Sequence, residues 1–409
     1  MATILCPYCF NKFSSSEAEY QCENKERKID GKRFCPTSPD TKYNTYWHYP
    51  KEVESGHFFR RGGLSKLFGG TVKPGKCDVC GTESRKFVCP HCHNWLPTEM
   101  IEEGSEIISI IGTPNSGKTV YFTALIHELQ KYGSKFGLTV TPTNVTHKPE
   151  ERTSVKYREN KIQLFDNHTL LAKTVYNEDE RSIPMMFSLT TKKAGSNKGR
   201  TIYLVFYDSA GEAFDNTERI NNMKYLNESS GIILLMDPFS IPKLRKDLGS
   251  VVKVPKGYES GNVDVNNIID NLNEFTSSYK KEMSGKPVAM AFSKIDVVVN
   301  GLEEIGADYQ IAGIDLETNS SIIKTGVFSQ SETDQIDEGL GKACESQWDE
   351  KGLKDKLRTK YENVKMFAVS SLGGEISSYP ADEPLRPYRV LDPLVWILTQ
   401  MGGFDIPVE

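Results

Sequence analysis

The stretch IISIIGTPNSGKTVYFTALIHEL, residues 107–129, decides the fold of most of the chain. It begins as an apolar run, crosses a short polar loop after Gly112, and continues as a helical pattern from Lys118. Residues 112–119, GTPNSGKT, match the spacing G-x-x-x-x-G-K-[ST] without a mismatch. Such a loop between a strand and a helix is typical of a phosphate-binding loop, whereas a chance turn would not require this context.

The residue types in this loop suit the binding of a triphosphate. Glycines let backbone N–H groups turn inward around a phosphate, and the start of a helix favours negative charge. Lys118 is predicted to reach the β- and γ-phosphates, and the Thr119 hydroxyl is predicted to bind Mg²⁺. The predicted nucleotide contacts of this loop are Gly112, Thr113, Pro114, Asn115, Ser116, Gly117, Lys118 and Thr119.

Length and composition indicate a globular protein of two or three domains. The chain has 409 residues and a formal net charge of -5, and this length allows a sizeable core. No apolar run reaches the roughly 20 residues of a membrane span, and MATILCPYCF lacks the features of a secretory signal. We therefore expect a cytoplasmic protein.

The charge is distributed unevenly along the chain. Residues 1–100 carry 15 Lys and Arg against 11 Asp and Glu, a net charge of +4, so the remainder carries -9. This difference indicates two modules with different partners.

From about residue 105, apolar strands alternate with helical patterns. Strands are predicted at 106–112, 183–189, 201–208, 231–237, 287–293 and 364–370, with helices at 118–132, 264–281, 340–360 and 391–401. The last three strands are near-continuous apolar runs, as expected of strands covered on both faces. The alternation predicts a doubly wound, mainly parallel α/β domain over 101–409, with 297–339 interpreted as an insertion and 1–100 as a small cysteine-rich module.

Three further segments each follow a predicted strand. In DSAGE, the Asp208 carboxylate can hold the Mg²⁺ shell, and the Gly211 N–H can sense a γ-phosphate. In SKID, Asp296 can accept hydrogen bonds from the N1 and N2 edge of guanine, where adenine has no such donors, and the stem of Lys294 can lie along the base. In SSL, residues Ser370, Ser371 and Leu372 can place a backbone N–H near the guanine O6.

With these elements in this order, residues 105–402 resemble a P-loop GTPase of the translation-factor and Ras-like class. The resemblance rests on the phosphate loop, on DSAG as the DxxG element, on SKID as the [NT]KxD element and on SSL as the SA[KL]-type element. It implies GTP and GDP as ligands, Mg²⁺ as a cofactor, and hydrolysis through an ordered water with loops that switch with the nucleotide. The long gap before the second strand, with YDSAGE, LLMDPFS and RVLDPLVWIL, is similar to large bacterial GTPases of multi-component defence gene clusters.

Several positions depart from the pattern of that class. Ser293 replaces the usual Asn or Thr but keeps a hydroxyl, and Glu212 occupies the place of the water-orienting glutamine. Pro114 fills a position often held by glycine near the γ-phosphate. We therefore expect slow intrinsic hydrolysis or help from a partner. Thr174 is the predicted switch threonine for Mg²⁺, with Thr169 as the alternative.

Eight of the nine cysteines lie before residue 93, in spacings typical of zinc sites. The pairs Cys77-x2-Cys80 and Cys89-x2-Cys92 are predicted to close one tetrahedral zinc shell, which is structural because the protein supplies every ligand. Without an export signal, disulfides are the weaker interpretation. His91 and His93 flank the last cysteine as substitutes.

A second zinc site is predicted from the remaining N-terminal cysteines. Its ligands would be Cys6, Cys9, Cys22 and Cys35. The spacing is irregular, so buried free thiols are the alternative, and His48 and His57 are possible replacements.

The sequence leaves two classes of partner for the cysteine-rich head, nucleic acid and protein. Residues 57–76 carry cations with interleaved aromatics, which suits nucleic acid, and a solvated linker is the alternative. A partner protein from the same gene cluster is the other expectation.

Three functions remain compatible with the sequence. The first is a GTP-hydrolysing switch whose zinc head docks a partner. The second is a nucleotide-gated adaptor or nucleic-acid sensor with negligible turnover, and the third is an ATPase in which SKID arose by chance.

Overall fold

A computed structural model describes most of the chain, in two packed parts. The described residues are 2–24, 35–48, 53–60, 73–113, 115–146, 149–172, 183–191, 199–207, 224–252, 264–277, 285–306, 311, 313–374 and 385–409. Within these ranges, no helix combines the length and the apolar character that crossing a bilayer requires.

The N-terminal part is built from strands of only two or three residues. These strands are β1 Thr3–Leu5, β2 Lys12–Ser14, β3 Glu19–Gln21, β4 Thr37–Pro39, β5 Glu54–Gly56, β6 Phe58–Phe59, β7 Gly75–Lys76, β8 Glu83–Ser84, β9 Phe87–Val88 and β10 Trp95–Leu96. A four-stranded antiparallel sheet has the order β10-β9-β3-β6, and β1 with β2, β4 with β5 and β7 with β8 form ribbons. Helices α1 Thr41–Trp47 and α2 Thr98–Glu103 complete this part. Strands this short are only marginally stable by themselves, and small modules commonly rely on additional crosslinks.

The second part is a seven-stranded sheet that is parallel except at β13. Its strands are β11 Ile107–Gly112, β12 Leu138–Pro142, β13 Met185–Thr191, β14 Arg200–Phe206, β15 Gly231–Met236, β16 Val288–Phe292 and β17 Val364–Ala368. Their order is β12-β13-β14-β11-β15-β16-β17, and β13 runs antiparallel to both of its neighbours, β12 and β14. Every residue of β11, β15, β16 and β17 is buried, which explains their continuous apolar runs.

Helices cover both faces of this sheet. They are α3 Lys118–Tyr132, α4 Thr153–Lys161 (continued by a π-helix Ile162–Asp166), α5 Lys224–Glu228, α6 Pro242–Leu248, α7 Val265–Ser277, α8 Ile295–Glu304, α9 Ser321–Thr325, α10 Gln330–Ser346, α11 Leu353–Arg358 and α12 Asp392–Met401. One core contains apolar residues of α3 and α12, such as Leu125 and Val395. The other core contains Ile268 of α7 and Val298 of α8. The predicted doubly wound α/β fold is therefore confirmed.

The structure differs from the predicted elements at three places. The edge strand β12 follows Gly137, which has a positive φ of 77°, and its half-exposed residues lack the apolar run that marked the other strands. The predicted helix 340–360 is two helices with a break before Gly352 (φ 73°). Within 297–339, α8, α9 and much of α10 are regular helices, although this polar region shows weak periodicity in the sequence. The interpretation of 297–339 as an insertion stays a prediction.

The N-terminal part and the sheet share one continuous core. Ile4 and Ile107 belong to the same cluster of buried residues. Ser105, between α2 and β11, accepts a hydrogen bond from Leu5 N (2.6 Å) and donates one to Leu5 O (2.9 Å). The first strand of the N-terminal part is thus fastened directly to the residues that lead into the sheet.

A buried acid on α3 predicts a pH-dependent stability. Glu128 is only 4% exposed, and burial raises its pKa to about 7, against roughly 4.3 for an unfolded glutamate. Between these values the folded chain holds a proton that the unfolded chain has lost, so stability falls as the pH rises. We expect Glu128→Gln to raise the free energy of unfolding by about 1–3 kcal/mol at pH 8.

Urea unfolding at a series of pH values measures this effect. The advantage of Glu128→Gln should shrink as the pH falls towards 4, where both states bind the proton. Glu338, which is exposed on α10, provides the control, because Glu338→Gln should show no such gain with rising pH. A constant difference across the pH range would contradict the prediction.

Candidate functional site

The loop between β11 and α3 has the backbone shape of a phosphate-binding loop. Asn115 and Gly117 adopt positive φ values of 60° and 72°, which reverses the chain over six residues. Ser116 closes the turn by donating its N–H and its hydroxyl to Thr113 O (3.2 and 2.8 Å). A Cβ at Gly112 would lie 2.6 Å from Ser116 Oγ and 2.8 Å from Leu235 O, so only glycine fits there.

The loop places its functional side chains at the start of α3. Lys118 is the first residue of the helix, and its ammonium donates a hydrogen bond to Gly112 O at 3.3 Å. Thr119 follows in the first turn, where its carbonyl accepts a bond from Thr123 Oγ1 (2.7 Å). Pro114 lies outside the described residues. A lysine folded over its own loop is positioned to meet a phosphate held by the loop amides.

Lys118 and Thr119 are the described members of the predicted magnesium and γ-phosphate set. Asp208, Gly211, Glu212 and Thr174 all lie outside the described residues. The alternative switch residue, Thr169, is described: it follows the π-helix, its N–H donates to Gln163 O (2.7 Å) and its hydroxyl donates to Asn167 O (3.1 Å). The assignment of a switch threonine stays a prediction.

The segment after β16 is braced against the neighbouring strand β15. Ser293 donates both its N–H and its hydroxyl to Met236 O, at 2.9 and 3.1 Å. The hydroxyl therefore braces the loop, as expected when serine stands in place of threonine. Lys294 has a positive φ of 52° and forms an ion pair with Asp237 Oδ2 at 2.8 Å.

Asp296 and Ser370 lie together at the ends of β16 and β17. Asp296 is 3% exposed, and burial raises its pKa, while a hydrogen bond from the Ser370 side chain opposes that shift. Ser370 is itself held by Tyr388 through two backbone hydrogen bonds of 2.7 and 3.0 Å. Leu372 O accepts a bond from Arg386 N (3.0 Å), and Ser371 lies between these two anchored residues.

These segments meet at one edge of the sheet. Strands β11, β15, β16 and β17 are parallel neighbours, so the loops after them leave the same edge. Open α/β sheets bind ligands outside this edge. The phosphate loop and the Ser293–Asp296 and Ser370–Leu372 segments are therefore brought together as the sequence predicts.

Sequence reasoning missed Asp237, which connects the two halves of this site. Asp237 is completely buried, its N–H donates to Thr113 Oγ1 in the phosphate loop (2.9 Å), and its carboxylate binds Lys294. It also caps the following turn by accepting from Phe239 N (3.1 Å). The available signal was an acidic residue at the end of the buried strand GIILLM, the same position that the other site segments occupy.

The eight N-terminal cysteines form two clusters, but not the two that their order in the chain predicts. One cluster contains Cys6, Cys9, Cys89 and Cys92, and the other contains Cys22, Cys35, Cys77 and Cys80. The prediction that residues 77–92 provide one complete site was therefore wrong, as was the grouping of the first four cysteines. All eight predicted ligands are nevertheless used, and His48, His57, His91 and His93 replace none of them within either cluster.

Strand direction explains this nested pairing. β3 and β9 are antiparallel, with Tyr20 opposite Phe87. Cys22 directly follows β3 and Cys89 directly follows β9, so they leave the paired strands at opposite ends. The residues between Cys80 and Cys89 run the length of the ribbon and carry the two adjacent pairs apart.

The geometry of both clusters fits zinc. Two Sγ–Sγ distances in the first cluster are 3.7 and 3.8 Å and two in the second are 3.5 and 3.6 Å, and all four sulfurs of each cluster lie within 4.8 Å of one another. A Zn–S bond of about 2.3 Å in a tetrahedron gives edges of about 3.8 Å. Seven of the eight cysteines are buried and all are free thiols. Each cluster supplies four ligands, so both suit structural zinc.

Three of the four cysteine pairs, Cys6 and Cys9, Cys77 and Cys80, and Cys89 and Cys92, form the same type of turn. The residue after the second cysteine, which is Phe10, Gly81 or His93, has a positive φ. Its N–H donates to the carbonyl of the first cysteine at 2.8–3.0 Å. This repeated turn aims both thiols at one point, as in zinc knuckles.

Comparison with known proteins agrees with the nucleotide site. The family model described as Double-GTPase 2 matches residues 106–348, which is more than half of the chain. The chain belongs to the Double-GTPase 2 family. It is thus a P-loop GTPase, and this family supports GTP as its nucleotide.

The Double-GTPase 2 match covers the phosphate loop and the Ser293–Asp296 segment but neither cysteine cluster. A curated relative from Mycolicibacterium smegmatis is provisionally described as the ESX-1 scaffolding and assembly protein SaeC. It is 23% identical over 333 residues, which cover 77% of this chain and 80% of the relative.

Solved GTPase structures give weaker similarities. The Arl6 BBS3 small GTPase of Trypanosoma brucei is 12% identical, with 73% of this chain and 97% of that chain covered and a TM-score of 0.27. The G domain of the T. maritima FeoB iron transporter is 13% identical, with 73% and 98% covered and a TM-score of 0.25.

Proposed function

We propose that this protein is a Mg²⁺-dependent GTP-hydrolysing switch whose zinc-binding head docks a partner. The observation that carries the proposal is the pair Asp296 and Ser370, which lies at the same sheet edge as the phosphate loop. Asp296 is buried and receives a hydrogen bond from Ser370, so its carboxylate is oriented to accept from the guanine N1–H and N2–H.

The residue roles follow from chemistry and position. Lys118 and the loop amides bind the β- and γ-phosphates, and Thr119 with Asp208 hold Mg²⁺. To Gly211 we assign sensing of the γ-phosphate, to Glu212 the place next to the attacking water, and to Thr174 a Mg²⁺ ligand, should the metal bind as in other GTPases. Magnesium, when bound, neutralises charge on the transferred phosphoryl group.

The base-binding roles are divided among two loops. Lys294 lies along the base, Asp296 reads its N1 and N2 edge, and Ser293 braces the segment. In the segment Ser370–Leu372, the N–H groups of Ser371 and Leu372 face O6, because the Ser370 N–H already donates to Tyr388 O. The anchoring of Ser370 by Tyr388 supports a preformed base site.

The zinc-binding head is proposed to dock a protein partner. Two structural zinc ions would crosslink the head through the clusters described above. The scaffolding and assembly description of the M. smegmatis relative supports a protein partner over nucleic acid. We further propose that the protein is encoded in a bacterial defence gene cluster and acts in the cytoplasm. The basic segment 57–76 would favour nucleic acid instead, and its residues 61–72 lie outside the described part of the chain.

Phosphate release tests the proposed activity. We expect purified protein to release phosphate from GTP in the presence of Mg²⁺. Lys118→Ala should lower the rate by about 100-fold or more, because the positive charge that stabilises the transferred phosphoryl group is lost. Lys131, an exposed lysine at the other end of α3, provides the control, since Lys131→Ala should leave the rate unchanged.

The possible outcomes separate the three functions. Turnover that Lys118→Ala does not change would exclude the enzyme. Tight GTP binding without turnover would identify a nucleotide-gated adaptor instead. Equal binding of ATP and GTP by the unmodified protein would favour an ATPase.

A further inference from the structure

The first zinc cluster lies against both ends of the segment that is proposed to sense the γ-phosphate. Tyr207 directly precedes Asp208 in the sequence, and Glu228 ends α5, which begins at Lys224. Both residues contact the loop 7–12, which contains the second ligand of the first knuckle, Cys9. The knuckle therefore meets the chain immediately before and shortly after residues 208–223.

The contact at Tyr207 combines a hydrogen bond with aromatic packing. The Tyr207 hydroxyl donates to the carbonyl of Pro7, which lies between the two ligands of the knuckle. Its ring packs against Phe10, with ring centroids 5.8 Å apart and planes inclined by 56°. Phe10 is 9% exposed, so this contact is largely shielded from water, where such packing is most effective.

The contact at Glu228 is electrostatic. Lys12 Nζ lies 2.5 Å from Glu228 Oε2, and the side chains are 44% and 23% exposed. An ion pair that is this accessible contributes little to stability. The ion pair therefore mainly fixes where α5 meets the knuckle, and the hydrogen bond from the Tyr207 hydroxyl to Pro7 O is the directional contact that depends on the position of residue 207.

A third contact reaches the connection between β12 and β13. The Tyr8 hydroxyl donates to Val145 O at 3.2 Å, and Tyr8 O accepts from Tyr46 of α1 at 2.9 Å. The connection 143–184 contains both candidate switch threonines, Thr169 and Thr174. Residues 7–12 thus contact the chain before and after residues 208–223, and they contact the connection 143–184 at Val145.

The zinc site determines the shape of this knuckle. Phe10 holds its positive φ of 56° through a hydrogen bond to Cys6 O (3.0 Å), and Cys6 N donates to Asn11 O (3.1 Å). The thiols of Cys6 and Cys9 converge with those of Cys89 and Cys92. A displacement of Tyr207 or Glu228 therefore acts on residues whose positions are set by the four ligands.

From these contacts we infer that the nucleotide site and the first zinc site are thermodynamically coupled, so that the zinc head reads the nucleotide state. The coupling passes through Tyr207 and Glu228 to the loop 7–12, and this inference rests on the proposed GTP-dependent switch. Because coupling between two binding sites is reciprocal, zinc at the first site also changes the relative affinities for GTP and GDP. The second cluster makes none of these contacts among the described residues.

Hydrogen exchange and zinc release measure this coupling in the full chain. Protein with two zinc ions is loaded with GDP or with a non-hydrolysable GTP analogue and Mg²⁺. Exchange of peptides covering residues 2–14 and 87–96 should differ between the two states, whereas residues 75–82 of the second site should not. Release of one zinc ion to a chromogenic chelator should differ by about 5- to 10-fold, within the usual range of coupling between sites.

A double variant tests whether the coupling passes through the contacts of Tyr207 and Glu228 with the loop 7–12. Tyr207→Phe removes the hydroxyl that binds Pro7 O, and Lys12→Ala removes the ion pair. Together they should reduce the nucleotide effect on zinc release to less than about 2-fold while two zinc ions and nucleotide binding are retained. Tyr20→Phe is the matched control, because it removes a phenol that donates to Lys73 O (3.0 Å) beside the second site, and it should preserve the full effect.

The outcomes separate this inference from the proposed function. A protein that binds GTP but shows the same zinc release and exchange in both states would overturn the coupling alone. Persistence of the nucleotide effect in the Tyr207→Phe, Lys12→Ala protein would overturn the route. A protein that binds no guanine nucleotide would overturn the proposed function and the coupling with it.

Discussion

Replacing Asp296 by alanine should abolish the preference of this protein for GTP over ATP. The carboxylate is expected to accept two charge-assisted hydrogen bonds from guanine, and such bonds contribute about 1.5–3 kcal/mol each. We therefore expect GTP and GDP to bind at least about 100-fold more weakly, with ATP affinity nearly unchanged. Competition binding against a fluorescent guanine nucleotide measures both affinities.

A variant that gains a new base preference distinguishes loss of base recognition from simple misfolding. Asp296→Asn replaces one acceptor by an amide donor, while its carbonyl still accepts one bond. Xanthine carries a carbonyl where guanine carries its exocyclic amine, so the variant should bind xanthosine triphosphate better than GTP. A selective exchange of this kind requires an intact pocket. If Asp296→Ala weakened ATP and GTP equally, residue 296 would not read the base.

The second large effect concerns the number of zinc ions that paired cysteine variants retain. Cys6→Ser combined with Cys89→Ser should remove one zinc ion per chain, because both residues belong to the same cluster. Cys77→Ser combined with Cys89→Ser should remove both zinc ions, because these residues belong to different clusters. Zinc binding at a structural site contributes directly to the free energy of folding. The variant that lacks Cys77 and Cys89 should therefore also unfold the head.

Metal analysis of the purified variants gives the answer directly. The pairing expected from chain order makes the opposite prediction, namely that the 77 and 89 variant keeps one zinc ion. Cys344→Ser is the control, since Cys344 is a buried thiol of α10 outside both clusters and its change should leave two zinc ions. Loss of zinc from only one site in the 77 and 89 variant would contradict the nested arrangement.

Much of the nucleotide site could be predicted because its parts are local. The spacing from Gly112 to Thr119 encodes a strand end, a turn and a helix start within eight residues. The Ser293–Asp296 and Ser370–Leu372 segments each follow an apolar run long enough to identify as a buried strand. Parallel neighbours leave the same sheet edge, so recognising the strands was sufficient to bring these loops together.

Other features depended on contacts between distant residues. Lys294 was expected to lie along the base, but its partner Asp237 lies 57 positions earlier, on a strand whose neighbours had to be known first. The edge strand β12 was missed because its half-exposed residues show no apolar run. Tyr207 looked like the last residue of a strand, and its contact with Pro7 exists only because the head packs on that side of the sheet.

The sequence by itself determined which residues are chemically competent: a phosphate loop, a carboxylate for guanine and eight thiolates for zinc. These depend on residue type and on short spacings, which local backbone geometry translates directly into structure. The tertiary structure decided which thiolates share a metal and where the head meets the nucleotide domain. Those outcomes depend on the direction of β3 against β9 and on the packing of the knuckle against Tyr207, which no local spacing encodes.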